Sequence, residues 1–155
     1  MAAPEPALAQ AGSRLSGPEI TQTLIGKTLV FRHDRGIRGS AGDAEIFTRT
    51  DGVVAELTMS YNADGSYRVF CKLFAPNGSS GPCGGPYSDK GSTAGVWQIR
   101  GNTICNRDLV AAASREACFA IERAGTRYRW RYVGPKMARG PFNSLVDGIE
   151  FAVRP

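Results

Sequence analysis

The chain has 155 residues, the size of one domain that can bury about two-thirds of its unfolded surface. A hydrophobic fraction of 42% and a charged fraction of 21% exclude a disordered chain, and no apolar run reaches the ~18–20 residues of a membrane span. The formal net charge of +5, carried mostly by arginine, favours anionic partners over basic ones.

The first residues are rich in alanine and proline and have no amphipathic period. Ala9-Gln10-Ala11 has the small-x-small pattern that ends a signal peptide, although the apolar core of such a peptide is absent. We therefore predict that residues 1–14 are a disordered tail or a signal-peptide remnant. Residues 15–155 are predicted to form a single domain.

A short helix is predicted at the start of this domain, over about residues 17–25. Ser16 is a good cap, Pro18 suits the first turn, and Glu19 follows Ser16 by three residues as in a capping box. Gly26 closes the helix.

After Gly26 the hydrophobic period changes from helical to two. Residues 33–42, 75–92 and 134–144 are rich in glycine, proline or charge and are predicted as loops. The predicted strands cover residues 27–32, 53–61, 66–74, 93–99, 103–109, 115–124, 126–133 and 149–153. Short consecutive strands at roughly 10-residue spacing predict an all-β fold, an antiparallel meander of about eight strands closing into a small lipocalin-like barrel.

Four cysteines allow three disulfide pairings. Cys71 and Cys83 flank one predicted turn and Cys105 and Cys118 flank another, so we favour Cys71–Cys83 and Cys105–Cys118 as bridges across neighbouring strands. Zinc is the rival hypothesis, disfavoured because the chain has no C-x-x-C and one histidine. We expect no metal and no cofactor, and the disulfides predict a periplasmic or secreted protein.

Arginine and aromatic residues alternate along one predicted strand and therefore point to opposite faces. The arginines are Arg127, Arg129 and Arg131, and the aromatic residues are Tyr128, Trp130 and Tyr132. The aromatic residues are predicted to face the barrel interior or line its cavity. The arginines are either a solvated face paired with glutamates such as Glu116 and Glu122, or a site for a polysaccharide, lipid headgroup or acidic protein surface; the reverse orientation, with arginines inside around a buried anion, is also open.

Trp97 follows Gly95 on another predicted strand. Trp97 is predicted as a core anchor, with a ligand-contacting tryptophan as the alternative, and Gly95 is expected to let another backbone approach closely.

His33, the only histidine, stands beside Asp34 in a predicted loop, and we favour a surface histidine without a role. No nucleophile, paired carboxylates or calcium-binding spacing accompanies it, so we expect no enzyme. We also expect no nucleic-acid partner. If the protein were an enzyme, His33 with Asp34 would be the only candidate catalytic pair.

Several short motifs together resemble a family of small secreted proteobacterial proteins of uncharacterised function. They are L-I-G-K-T at 24–28, Y-x-x-D-G-S at 61–66, G-x-W-x-I-x-G-N-x-I-C at 95–105 with a later cysteine, and R-x-G-x-x-Y at 123–128. The resemblance spans about residues 15–133, implies export and a Cys105–Cys118 disulfide, and implies no activity. The chain departs from that pattern in its additional cysteine pair and its long 75–92 loop.

Gly95-x-Trp97 is also similar to the lipocalin signature, which in lipocalins lies on the first strand, so no ligand site is transferred from it. Small periplasmic inhibitors of proteases or lysozymes are similar in size and disulfide use. A lysozyme inhibitor is expected to be acidic, which the charge of +5 contradicts.

These patterns predict a non-catalytic periplasmic or secreted binding protein with a basic and aromatic face for an anionic ligand or envelope component. The alternative is a protein-interaction module, either a protease inhibitor or an envelope-assembly subunit, that uses the disulfide-held 75–92 loop.

Overall fold

The computed structural model describes residues 13–38, 45–83, 92–108, 116–134 and 146–155. Its helix, α1 (Gly17–Leu24), begins at a capping box, as predicted: Ser16 Oγ accepts from the Glu19 N–H (3.3 Å) and Glu19 Oε2 accepts from the Ser16 N–H (2.8 Å). No helix within the described residues is long and apolar enough to cross a membrane.

Eleven strands are found in the described part of the chain. In chain order they are β1 (Thr28–His33), β2 (Arg35–Arg38), β3 (Glu45–Thr48), β4 (Val54–Tyr61), β5 (Ser66–Phe74), β6 (Ser80–Pro82), β7 (Ser92–Arg100), β8 (Thr103–Asp108), β9 (Ala117–Ala124), β10 (Arg127–Gly134) and β11 (Glu150–Arg154).

Eight of these strands close into an antiparallel barrel, which confirms the predicted fold class. Around the barrel the order is β1, β4, β5, β7, β8, β9, β10 and β11, and β11 returns to pair with β1. Every neighbouring pair is antiparallel. Because the barrel is closed, each of these eight strands has a neighbour on both sides and none is a free edge.

Two predicted loops contain strands, which corrects the prediction. The segment 33–42 holds β2, which forms a hairpin with β3, because the ring of Phe47 packs over Gly36 where a side chain would collide. The segment 75–92 holds β6, which pairs with the end of β5 although its sequence, Ser-Gly-Pro, has little strand propensity. Residues 84–91 lie outside the described residues.

The barrel interior is filled by the inward side chains of alternating strand positions. Around Trp130 the ring centroids of Phe151, Phe119 and Phe31 lie at 4.6, 5.3 and 6.1 Å. Tyr61, fully buried, places its hydroxyl 3.0 Å from Oδ1 and 2.9 Å from Nδ2 of Asn106. The barrel interior around Trp130 and Tyr61 is therefore a packed core.

One end of the barrel is covered by α1, and we call it the closed end. Ile20 and Leu24 of the helix are fully buried there. The Gly17 N–H donates to Asn102 Oδ1 (2.9 Å), and a Cβ on Gly17 would collide with the Gly101 carbonyl, so only glycine allows this approach.

The segment before α1 extends the sheet along β9. The Leu15 N–H donates to the Ile121 carbonyl and the Arg123 N–H donates to the Ser13 carbonyl, both at 2.8 Å. Ser13 and Arg14, predicted to lie outside the domain, are therefore attached to the barrel. The rest of the predicted tail, residues 1–12, lies outside the described residues.

Both predicted disulfides are present. Cys105 and Cys118 are directly opposed residues of β8 and β9, with a Cα–Cα distance of 4.0 Å. Cys71 of β5 is bonded to Cys83, the residue after β6, with a Cα–Cα distance of 5.4 Å. Each bridge therefore joins adjacent segments.

Candidate functional site

The predicted arginine face lies on the outer wall of β10, and glutamates neutralise two of its three charges. Arg129 Nη2 donates to Glu150 Oε1 (2.6 Å), and Arg131 Nε donates to Glu122 Oε1 (2.7 Å). Arg127 is exposed and has no ion pair within the described residues. This arrangement matches the solvated, paired face that the sequence also allowed, and the inward orientation of the arginines is wrong.

Glu116, the other expected partner of these arginines, lies elsewhere. It pairs with Arg100 (2.9 Å) and accepts a hydrogen bond from Gln98 (2.8 Å) beside the Cys105–Cys118 bridge. Glu116 and these two sulfur atoms lie within 4.8 Å of one another, but the disulfide leaves no thiolate to bind a metal there.

The aromatic residues of β10 face inward, as predicted; Trp130 belongs to the core, and Tyr128 and Tyr132 pack against it. Trp130 is buried, and its indole N–H has no hydrogen-bond partner in the described structure. Tyr132 packs edge-on against Phe119 with ring centroids 5.5 Å apart, and burial raises the pKa of its hydroxyl. Tyr128, stacked on Phe151 at 5.8 Å, lies at the closed end, where a depression opens.

Trp97 is half-buried rather than fully buried. It packs edge-on against Tyr61 and donates its indole N–H to the Asn62 carbonyl (2.9 Å), so this N–H is already used within the protein. Gly95 permits a close approach, as expected: a Cβ there would collide with the Arg107 carbonyl and the Tyr67 ring.

The prediction that His33 is a surface loop residue is wrong. β1 extends to His33, and the period of two turns its side chain inward, where it is 8% exposed. Its Nδ1 accepts a hydrogen bond from the Arg35 N–H (3.2 Å) and so has no proton to give to Asp34. Burial, and then the charge of Arg35, lower the pKa of this imidazole.

A shallow depression with a volume of about 370 Å³ lies at the closed end between α1, the start of β10 and the end of β11. We call it the closed-end depression. It is lined by Gln22, Thr23, Lys27, Thr126, Tyr128, Val153, Arg154 and Pro155.

Two turns and one strand pairing place the charged and aromatic groups of this depression. Gly26, with φ of 78°, turns the chain after α1 and sets Lys27 beside the barrel wall. The pairing of Thr28 with Arg154 brings the second cation to the same rim. Gly125, with φ of 65°, forms the tight turn before β10, from which Tyr128 enters the depression.

The electrostatic character of the closed-end depression differs from that of the β10 arginines. Its lining has no Asp or Glu, and within the described residues neither Lys27 nor Arg154 forms an ion pair. The lining also holds uncharged polar side chains with no hydrogen bond to another described side chain or backbone group. These are Gln22, Thr23, Thr126 and Tyr128.

The closed-end depression can therefore offer two positive charges and several hydroxyl or amide groups to one small ligand. The Tyr128 ring and Val153 add an apolar wall. Of the ligand-binding residues that the sequence predicted, the structure brings only Tyr128 to this place. Lys27 lies in the L-I-G-K-T segment, which was considered only for the family resemblance, and Arg154, at the other end of the chain, belongs to no motif.

The fold defines the class of the protein: a small antiparallel eight-stranded barrel with two disulfides and a helix across one end. No family model, no curated protein and no solved structure matches the chain.

Proposed function

We propose that the chain is a non-catalytic, extracytoplasmic binding protein that holds a small sugar-borne anion, such as a phosphorylated or acidic sugar, in the closed-end depression. The observation that carries the proposal is a concave site whose lining, in the part of the chain that the structure describes, has two cations without an ion pair and no Asp or Glu. Unpaired cations at a concave surface favour an anion, since a charge-assisted hydrogen bond is about twice as strong as a neutral one.

The sugar part of the ligand is inferred from the uncharged lining. Thr23, Thr126 and Gln22 offer hydroxyl and amide groups to ring hydroxyls, while Tyr128 offers an aromatic face. The volume falls at the lower end of the roughly 300–1,000 Å³ typical of small-molecule sites, which suits one sugar unit.

Two further observations support the class of protein. Two disulfides favour an oxidising compartment, the periplasm or the cell exterior. The only histidine is buried and accepts a hydrogen bond through Nδ1, which argues against its use with Asp34 as a catalytic pair.

The test is calorimetric titration with glucose 6-phosphate, and with glucose as the neutral analogue. We expect the phosphorylated sugar to bind and glucose to bind much more weakly. The double variant Lys27→Gln/Arg154→Gln should weaken binding by at least about tenfold, the equivalent of one or two charged hydrogen bonds.

A matched control removes the same charge from the far wall of the barrel. Lys72→Gln/Arg107→Gln also lowers the net charge by two but lies outside the depression. If both double variants weaken binding equally, the attraction is a general effect of net charge and the proposed site is wrong. Equal binding of glucose and its phosphate would also refute it.

A second candidate function, a protein-interaction module, is favoured by the hairpin at residues 71–83. At its tip Asn77 Oδ1 accepts hydrogen bonds from the N–H (3.0 Å) and hydroxyl (2.7 Å) of Ser79, and residues 76–80 are exposed. The Cys71–Cys83 bridge fixes its base. Such a rigid, exposed hairpin suits insertion into a protease cleft.

Inhibition assays against a panel of secreted proteases test this second candidate. Inhibition should disappear in the variant Cys71→Ala/Cys83→Ala and persist in Cys105→Ala/Cys118→Ala, whose bridge is remote from the hairpin. Inhibition that survives deletion of residues 76–79 would show that the hairpin is not the probe.

A further inference from the structure

The outer wall formed by β5, β7 and β8 combines exposed apolar side chains with cations that have no ion pair among the described residues. Phe70 is 49% exposed and Val96 is 41% exposed; within the described residues, Val133 is the only other large apolar side chain as exposed as these. Phe70 lies between Arg68 and Lys72 at alternate positions of β5, so the three side chains share the outer face.

Strand register brings a third cation to the same wall. Val96 on β7 is directly opposite Arg107 on β8 and Ser66 on β5. Arg68 and Lys72 therefore flank Phe70 along β5, and Arg107 lies beside Val96 on the same outer wall. We call these five residues the β5–β8 face.

No described carboxylate neutralises the β5–β8 face. Glu56 is the register partner of Lys72, but it forms an ion pair with Arg32 at 3.0 Å. Arg68 has its guanidinium 6.0 Å from the centroid of the Phe70 ring, and among the described residues no ion pair involves Lys72 or Arg107. β9 separates this wall from β10, whose arginines are largely paired.

The composition of the face decides between a protein and a membrane as its partner. A stable protein interface needs about 800 Å² from each side with a central apolar cluster. Here two large apolar side chains stand among small polar residues such as Thr58 and Ser92. Docking on a bilayer surface requires a smaller apolar area from the protein than a stable protein interface does. One aromatic anchor at the headgroup level and several cations near anionic lipids are sufficient.

We propose that the β5–β8 face docks the protein on an anionic phospholipid bilayer, with Phe70 entering the headgroup region and Arg68, Lys72 and Arg107 contacting lipid phosphates. The proposal is independent of the closed-end depression, which lies at the end of the barrel and shares no residue with this wall.

Co-sedimentation of the full chain with vesicles tests the proposal. We expect binding to vesicles that contain phosphatidylglycerol, little binding to phosphatidylcholine alone, and weakening of the bound fraction as salt is raised. Each of Arg68→Gln, Lys72→Gln and Arg107→Gln should weaken binding by about fivefold. Phe70→Ser should weaken it further without changing its salt dependence.

Control variants come from β10, which is not part of the β5–β8 face, and from the closed-end depression. Arg127→Gln removes an exposed, unpaired cation and Val133→Ser removes an equally exposed apolar side chain, both on β10. Neither control, nor Lys27→Gln/Arg154→Gln, should change vesicle binding by more than about twofold.

Three outcomes would overturn the proposal: no sedimentation with either vesicle, equal sedimentation with both, or equal losses in the control and face variants. Circular dichroism of each variant shows whether the barrel is intact. Because all these positions are exposed or outside the core, a loss of binding can be separated from a loss of fold.

Discussion

Replacing both cysteines of either disulfide by alanine should lower the free energy of unfolding by nearly the same amount. The two bridges close segments of similar length, with sequence separations of 12 and 13 residues. Loop-closure entropy for such spans gives about 3 kcal/mol each, and the difference in length changes this by only about 0.1 kcal/mol.

The environments of the two bridges reinforce this expectation. Cys71, Cys83 and Cys105 are all less than one-tenth exposed, so alanine also removes a buried sulfur in both variants. The packing losses are therefore similar, and we expect the two double variants to agree to within about 1 kcal/mol.

Urea unfolding followed by tryptophan fluorescence and far-ultraviolet circular dichroism measures the loss of unfolding free energy in each double variant. The slope of the free energy against urea should rise in each variant, because the unfolded chain without a cross-link exposes more surface. A loss below about 1 kcal/mol in either variant, or a difference above about 2 kcal/mol between them, would refute the loop-closure account.

Three further predictions concern single residues. Because the pKa of His33 is lowered in the folded state, the unfolded chain binds this proton more readily, so stability present above the ordinary pKa of 6.5 is lost as pH falls from that value through the lower pKa of the folded state. Thermal melts over a pH series should show a flatter acid-side decline for His33→Gln, and an unchanged decline would contradict this. Gly95→Ala should cost about 1–3 kcal/mol in urea unfolding because its Cβ meets a carbonyl and a ring, whereas Gly81→Ala, with open space around it, should cost little; equal costs would show that the close approach is unimportant. Glu122→Gln should cost about 1.5–3 kcal/mol by the same assay, since Glu122 is buried and accepts from Arg131 at 2.7 Å, and no loss would mean that the pair contributes nothing.

Hydrophobic alternation was sufficient to predict the barrel strands. In β4 the alternate residues from Ala55 to Tyr61 are buried, and the predicted strand at 66–74 coincides with β5. Burial on one face of a sheet imposes this period of two directly on the sequence, so strands with a clear inward face can be located from it.

The three strands outside the barrel, β2, β3 and β6, have sequences in which the hydrophobic period of a strand is weak. β2 and β3 have four residues each, too short for a period to be distinguished from chance, and β6 contains a glycine and a proline. Their pairing is decided by tertiary contacts such as that of Phe47 with Gly36, which no local pattern records.

The candidate site was predicted only in part, for a geometric reason. Tyr128 belongs to a conspicuous run of arginines and aromatic residues, but most of that run is used in the core or in ion pairs. Lys27 and Arg154 meet because β1 and β11 close the barrel. A pair of single cations so far apart in sequence gives no local pattern to detect.

The attachment of the N-terminal segment constrains the order in which the chain folds. Gly17 bonds to Asn102, 85 residues later, and Leu15 bonds to Ile121. The hairpins β4–β5, β7–β8 and β9–β10 need only local contacts, which close fast, whereas long-range contacts carry a larger entropic cost. During synthesis, residues 13–24 must therefore wait for β9, so the closed end, with its depression, is completed only after the central hairpins exist.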